Sequence, residues 1–133
     1  MGRVVGIGIA EIKGNKIKSV DKIDALKGKG LLNDRKFREN NQKNCQITLI
    51  EIENINYFND ISKTNISPFD FRRNIITENI RLNDLIGKEL FVGEVKLKAH
   101  DLCRPCKYLQ DKLKQKNIVK EFLHKGGLRC EIL

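Results

Sequence analysis

Residues 4–12 are rich in β-branched side chains, the pattern of an extended strand, and Lys13-Gly14-Asn15 supplies a turn that opens a hairpin into residues 17–23. Residues 25–44 have a different texture, with glycines at 28 and 30 followed by mostly polar and charged residues without a period. They predict a long loop, and long loops in compact domains are often functional. A strand pattern returns at residues 46–50. Residues 51–60 then set Ile52, Ile55 and Phe58 at helical spacing, which predicts a short amphipathic helix.

Residues 68–74 read as irregular, and residues 75–77 and 81–82 as extended. The clearest hairpin joins residues 89–92 to residues 95–100 through Gly93-Glu94. There Val95, Leu97 and Ala99 alternate with Lys96, Lys98 and His100, giving one buried and one wet face. Pro105 suits the first turn of a helix running to about residue 116. A second helical stretch covers residues 118–124 and stops at Gly126-Gly127. Residues 128–132 form a last strand with Leu128, Cys130 and Ile132 on one face. Many short strands with a few helices between them predict a mainly β barrel or sandwich, organised as one domain over residues 1–133.

Composition supports a real core: 133 residues, 40% hydrophobic and 32% charged. Aromatics are only 6% and Trp is absent, which weakens readings built on stacked bases or aromatic cages. Lys and Arg outnumber Asp and Glu 26 to 17, a net charge of +9 that attracts polyanions such as nucleic acid, acidic partners or phosphorylated cofactors. Part of the excess is local, since residues 98–125 hold eight Lys or Arg against three Asp or Glu. The N-terminus has neither the apolar length of an export signal nor a myristoylation pattern, and no stretch reaches membrane-spanning length. The expectation is a cytoplasmic protein whose four cysteines, Cys45, Cys103, Cys106 and Cys130, are thiols, ligands or reactive groups rather than disulfides.

Cys103-Arg104-Pro105-Cys106-Lys107 is the most informative segment. A thiolate is the nucleophile and the metal ligand, so reactivity follows whatever lowers the thiol pKa. Cys106 follows Pro105 at an expected helix start, where unpaired N–H groups favour negative charge, and Arg104 and Lys107 add positive charge. Cys130, on the apolar face of the last strand, and Cys45, ahead of another, read as small hydrophobes. The Cys103-x-x-Cys106 spacing also admits a zinc site or a thioredoxin-like redox pair. The first lacks a second ligand pair, and the second lacks a βαβ context.

Six segments in order resemble the MOSC domain, the C-terminal domain of molybdenum cofactor sulfurases that also occurs as small stand-alone proteins. They are Gly28-Lys29-Gly30-Leu31-Leu32-Asn33-Asp34-Arg35-Lys36, similar to a glycine-led loop ending in Asp-Arg-His; Gln46-Ile47-Thr48-Leu49-Ile50-Glu51; and Phe71-Arg72-Arg73-Asn74-Ile75-Ile76-Thr77, with an Arg-x-Asn segment. Leu85-Ile86-Gly87-Lys88-Glu89-Leu90-Phe91-Val92-Gly93, Pro105-Cys106-Lys107-Tyr108-Leu109 and Gly126-Gly127-Leu128-Arg129-Cys130 complete the set.

The resemblance implies a MOSC-type β-barrel with a few short helices. It also implies a cysteine that accepts sulfur as a persulfide from a pyridoxal-phosphate-dependent desulfurase or, in other relatives, ligates molybdenum in a domain that takes part in reducing N-hydroxylated compounds. By position Cys106 takes that role, as catalytic residue or metal ligand, with a sulfur-donating or sulfur-accepting desulfurase or molybdoenzyme as partner. Arg35, Lys36, Arg72, Arg73, Asn74, Arg104 and Lys107 are the candidates to bind the molybdenum cofactor, since guanidinium forks and an amide suit a phosphate-bearing, pterin-like ligand. Surface salt bridges of the arginines with Asp34, Glu39 or Glu78, and a turn fixed by Asn74, are the plain structural alternatives. Lys36 stands where the family has His, Cys103 is an extra thiol able to resolve a persulfide on Cys106, and the chain ends where relatives continue into another strand. Two further readings stand beside this one: a basic nucleic-acid-binding barrel without catalysis, and an interaction domain that keeps the fold but not the chemistry.

Overall fold

The computed structural model describes residues 2–103, 111, 113, 122 and 124–133. The expected helix over residues 105–116 apart from Asp111 and Leu113, which are helical, and the expected helical stretch over residues 118–124 apart from Phe122 and His124, lie outside the described residues.

The β-branched start of the chain forms β1 (Arg3–Ile9), and the turn beyond it returns the chain as β2 (Lys18–Ser19), paired antiparallel at Gly8 with Ser19. The ladder is shorter than expected, with two residues of β2 paired. The 25–44 segment is more ordered than a plain loop: β3 (Ala25–Leu26) and β4 (Gly30–Leu31) form a small two-stranded ladder of their own. Gly30 sits at φ +130 with the Gln46 carbonyl pressed against it, a conformation that requires glycine.

β5 (Ile47–Glu51) runs straight into α1 (Ile52–Ser62), which ends on Lys63 in the left-handed region. A 3-10 turn over Pro68–Phe71 leads to β6 (Ile75–Glu78), parallel to β5. Parallel neighbours need a crossover, and α1 supplies it. The expected extended pair at residues 81–82 is instead the entry to a second 3-10 turn, Leu82–Leu85, which sinks Leu82 to 1% exposure in the core. β7 (Glu89–Val92), β8 (Val95–Leu102) and β9 (Leu128–Ile132) follow the expected hairpin and closing strand.

The seven-stranded sheet has the order β2-β1-β6-β5-β9-β8-β7. One bulge lies at Val5 in β1 and another at His100 in β8, where the register with the neighbouring strand slips by one residue. Bulges bend strands and increase their twist, and here they help the sheet curl into a half-barrel. Alternation along each strand splits the apolar residues into two layers. Ile47, Leu49, Ile75, Leu97, Leu128, Cys130 and Ile132 line the concave side. Ile50 and Ile76 face the other way, under Ile55 and Phe58 of α1. Phe58, Phe71 and Phe122 close that second layer, with ring centroids 4.9 Å apart between Phe71 and Phe122 and 5.3 Å between Phe58 and Phe122. Among the described residues no helix is long and apolar enough to cross a membrane.

Candidate functional site

Four of the cationic candidates come from two loops that end against the same strands. Asp34, at the end of the β4 loop, is buried, and its Oδ1 accepts the Ala10 amide at 3.0 Å just past β1. The Arg35 amide returns the tie by donating to the Ala10 carbonyl at 2.6 Å. The neighbouring Arg35 guanidinium is drawn inward. Its side chain is 8% exposed, its Nη1 lies 3.2 Å from Asp34 Oδ1, and its Nη2 donates to the Arg72 carbonyl at 3.5 Å. The salt bridge with Asp34 weighed from the sequence is therefore present, but inside the protein. Glu39 and Glu78 pair elsewhere, with Lys29 and Arg3.

Arg72 and Arg73 precede β6 and diverge. Arg72, with φ +65, turns its Nη1 to the Asn15 carbonyl at 2.8 Å. Arg73 donates through Nε to the Gly126 carbonyl at 2.9 Å and through Nη1 to the Phe71 carbonyl at 3.2 Å. Asn74 is 2% exposed and serves as a clasp. Its Oδ1 accepts the Thr48 amide and hydroxyl, both at 3.1 Å, and its Nδ2 donates to the Gly8 carbonyl at 3.1 Å. These bonds stitch β1, β5 and β6 together and leave its amide occupied within the sheet.

Cys103 ends β8. Its amide donates to the Gly127 carbonyl at 2.7 Å, next to the Gly126 carbonyl that holds Arg73. Its side chain is buried and its thiol is pushed up, first by burial, with Arg73, Lys36 and Arg129 pulling the other way. That balance opposes the thiolate a resolving nucleophile needs. Cys130 lies in the apolar core with its thiol raised to about 12, chiefly by burial, as a small hydrophobe would be. Cys45 is half-buried. Cys106, Arg104 and Lys107 lie outside the described residues.

The electrostatics of the cluster are those of crowded cations. Arg35 is held below its usual range by burial, a shift opposed by Asp34 and reinforced by Arg72 and Arg73. Lys36 reaches solvent, yet its ammonium is also held below the ordinary lysine value, first by the protein packed around it and then by Arg35 and Arg73. Sequence reasoning missed Arg129, which is gripped through Nε and Nη2 by Asp101 across the β8–β9 ladder and adds to the field at Cys103. The alternation of β9, with Leu128, Cys130 and Ile132 inward, would have placed Arg129 and Glu131 outward. Among the described residues no group of three or more His, Cys, Asp or Glu stands close enough to hold a metal ion.

A lysine with a lowered folded-state pKa costs stability while it is charged in both states, and the cost fades as pH rises past its native value. Lys36→Gln is therefore expected to raise the thermal midpoint slightly at pH 7 and to lose that advantage above about pH 10.5, the ordinary lysine value. Added inorganic phosphate should raise the midpoint of the parent by preferential binding to the native state, and raise that of Lys36→Gln less. Equal phosphate responses would show that Lys36 does not contact the anion.

The MOSC domain family model matches residues 34–132. Among solved structures, YuaD from Bacillus subtilis is similar with a TM-score of 0.79 at 20% identity, covering 99% of this chain and 88% of that one. YiiM from Geobacillus stearothermophilus gives a TM-score of 0.79 at 15% identity, over 100% of this chain and 68% of that one. YiiM from Escherichia coli gives 0.72 at 17%, over 98% and 62%. At these identities the likeness is one of fold. A search of curated proteins returned no match. With the family's pattern running from the buried Asp34 through the last strand, the chain belongs to the MOSC domain family.

Proposed function

We propose that this chain handles sulfur through Cys106, beside an anion-binding cluster made of Arg35, Lys36, Arg72 and Arg73. The observation that carries the reading is the meeting of Arg73 and Cys103 on the adjacent carbonyls of Gly126 and Gly127. Cys106 is three residues beyond Cys103, and three residues of chain reach about 11 Å at most. That reach would keep a Cys106 sulfur close to the groups acting on Cys103, where Arg73, Lys36 and Arg129 outnumber Asp101. Cations around a thiolate or persulfide favour its anionic form, and Arg104 and Lys107 flank Cys106 in sequence.

In the transfer, the Cys106 thiolate attacks the outer sulfur of a persulfide on a pyridoxal-phosphate-dependent desulfurase. A new S–S bond forms on Cys106 as the donor's S–S bond breaks, and the donor cysteine leaves as a thiolate. The acceptor repeats the exchange and returns Cys106 as a thiolate.

The crowding of Arg35 and Lys36 with Arg73 also supports a molybdenum cofactor as ligand. Arg35 and Lys36 both carry a desolvation cost that a phosphate-bearing anion would offset, and guanidinium forks suit phosphate oxygens. Arg35, Lys36, Arg72 and Arg73 would hold the phosphate end and Cys106 would offer its sulfur to the metal. When bound, that group supplies the two-electron chemistry by which N-hydroxylated compounds are reduced. Asn74 has no part in this reading, its amide being engaged with Thr48 and Gly8.

The test is intact mass after incubation with a desulfurase and free cysteine. The parent and Cys103→Ser should each gain sulfur that a thiol reductant removes, and Cys106→Ser should gain none while keeping its circular dichroism spectrum. A Cys106→Ser variant that loads like the parent would defeat the carrier role.

A further inference from the structure

We infer that the hollow of the half-barrel is a second binding site, separate from the cationic cluster, and that it takes a small apolar organic cation. A cavity of about 580 Å³ lies on the concave side of the sheet. Its walls are Ile7 of β1, Ile47 of β5, Ile75 of β6 and Leu97 of β8, so strands far apart in the sheet order face each other across it. Small-molecule sites typically occupy about 300–1,000 Å³, are lined mostly by apolar side chains and carry a few polar groups that orient the ligand. This cavity has that form.

The charge at its mouth sets the ligand class. Asp21 and Asp24, on the segment between β2 and β3, and Glu94, in the β7–β8 turn, line the opening with Lys22. Three carboxylates against one ammonium leave two negative charges, on a chain whose net charge is +9. Among the described residues, Asp21, Asp24 and Glu94 form no ion pair within the protein, whereas Glu78, Glu39 and Glu89 do. Clefts with low-dielectric walls and charge of one sign at the rim focus the field on an entering counter-ion. An apolar body with one positive charge satisfies both wall and rim. A phosphate-bearing ligand of the Arg35–Arg73 cluster satisfies neither, so the two sites have opposite preferences. A smaller cavity of about 250 Å³ shares Val4, Val92 and Gly93 with the larger one and extends the apolar seam toward the exposed Phe91.

The experiment measures the fluorescence of three probes added to the full chain: berberine, an apolar cation; Nile red, which is neutral; and anilinonaphthalene sulfonate, an anion. Berberine is expected to bind at least tenfold more tightly than the anion. The triple variant Asp21→Asn/Asp24→Asn/Glu94→Gln, whose changes are all on the surface, should weaken berberine about tenfold, the equivalent of about 1.4 kcal/mol. It should leave Nile red unchanged. Added salt should weaken berberine and leave the neutral Nile red unchanged, because exposed charges are screened. Ala25→Trp, which builds a ring into the cavity from β3, should abolish both berberine and Nile red binding, with the urea midpoint checking that the fold survives. Berberine binding that is indifferent to the triple variant would overturn the charge assignment. Probe binding that survives Ala25→Trp in a folded protein would overturn the location. A concentration-dependent dimer that excludes berberine would show that a second copy covers the mouth, and would overturn the proposal as well. None of these outcomes depends on sulfur loading at Cys106.

Discussion

Asp34→Ala is expected to cost about 3–5 kcal/mol of folding stability, the usual penalty for removing one partner of a buried ion pair. The Asp34 side chain is 1% exposed and that of Arg35 is 8% exposed, so deleting the carboxylate leaves a mostly buried guanidinium without its counter-charge. The loss also frees the Ala10 amide, which Asp34 Oδ1 holds at 3.0 Å, and the Lys36 amide, which Oδ2 holds at 3.4 Å. Arg35 already sits below its usual range because of burial, and Asp34 is the largest influence opposing that shift. Without it, Arg72 and Arg73 act on Arg35 unopposed. A domain of this size has about 5–15 kcal/mol in total, so the variant should unfold at a much lower urea concentration. The double variant Asp34→Ala/Arg35→Met should recover part of the loss, because it no longer buries an unpaired charge. If the single variant lost less than about 1 kcal/mol, the range of an exposed pair, the buried ion pair would not be what anchors the cluster.

Which parts of this arrangement were legible in the chain follows from the range of the forces involved. The strands read at residues 89–92, 95–100 and 128–132 show in the sequence because a sheet with one buried face imposes a two-residue alternation, and the middle one runs two residues further, to Leu102. The helix after Glu51 shows because Ile52, Ile55 and Phe58 repeat at its period. The slips at Val5 and His100 left no local mark, since a bulge is set by how two distant strands meet. Residues 81–82 read as extended because the 3-10 turn that Arg81 leads into, Leu82–Leu85, is too short to show a period.

The candidate site divides along the same line. The family-like order of motifs brought Arg35, Lys36, Arg72 and Arg73 forward as a set; in the fold Arg72 and Arg73 act on Arg35, and Arg35 and Arg73 act on Lys36. The inward turn of Arg35 was not legible, because its burial depends on Asp34 meeting Ala10 across 24 positions of chain. Asn74 drew notice for its place in an Arg-x-Asn segment, and its role proved to be the joining of three strands, through partners as distant as Gly8. Arg129 was passed over because its partner, Asp101, comes from the neighbouring strand. The cavity had no signature at all, since its four walls come from four separate strands.

Gly127→Ala should be at least as costly, about 4 kcal/mol or more, beyond the common range for one substitution. Gly127 sits at φ +101, outside even the left-handed helical region, and a methyl group there would overlap the Leu49 carbonyl oxygen and lie 2.9 Å from its carbon. Both obstacles are backbone atoms of a central strand, so no side chain can swing away to make room. The chain would have to shift at the point where the Gly126 carbonyl holds Arg73 and the Gly127 carbonyl holds the Cys103 amide. Gly93→Ala is the matched control, with φ +60 and open space around the added carbon, and only the left-handed penalty of about 1–2 kcal/mol applies there. Urea midpoints should separate the two variants clearly. Cys103, 4% exposed in the native fold, should also become alkylated faster in Gly127→Ala than in Gly93→Ala. Equal midpoints would mean that β9 has slack at its start. The glycine pair would then not be what brings Arg73 and Cys103 together.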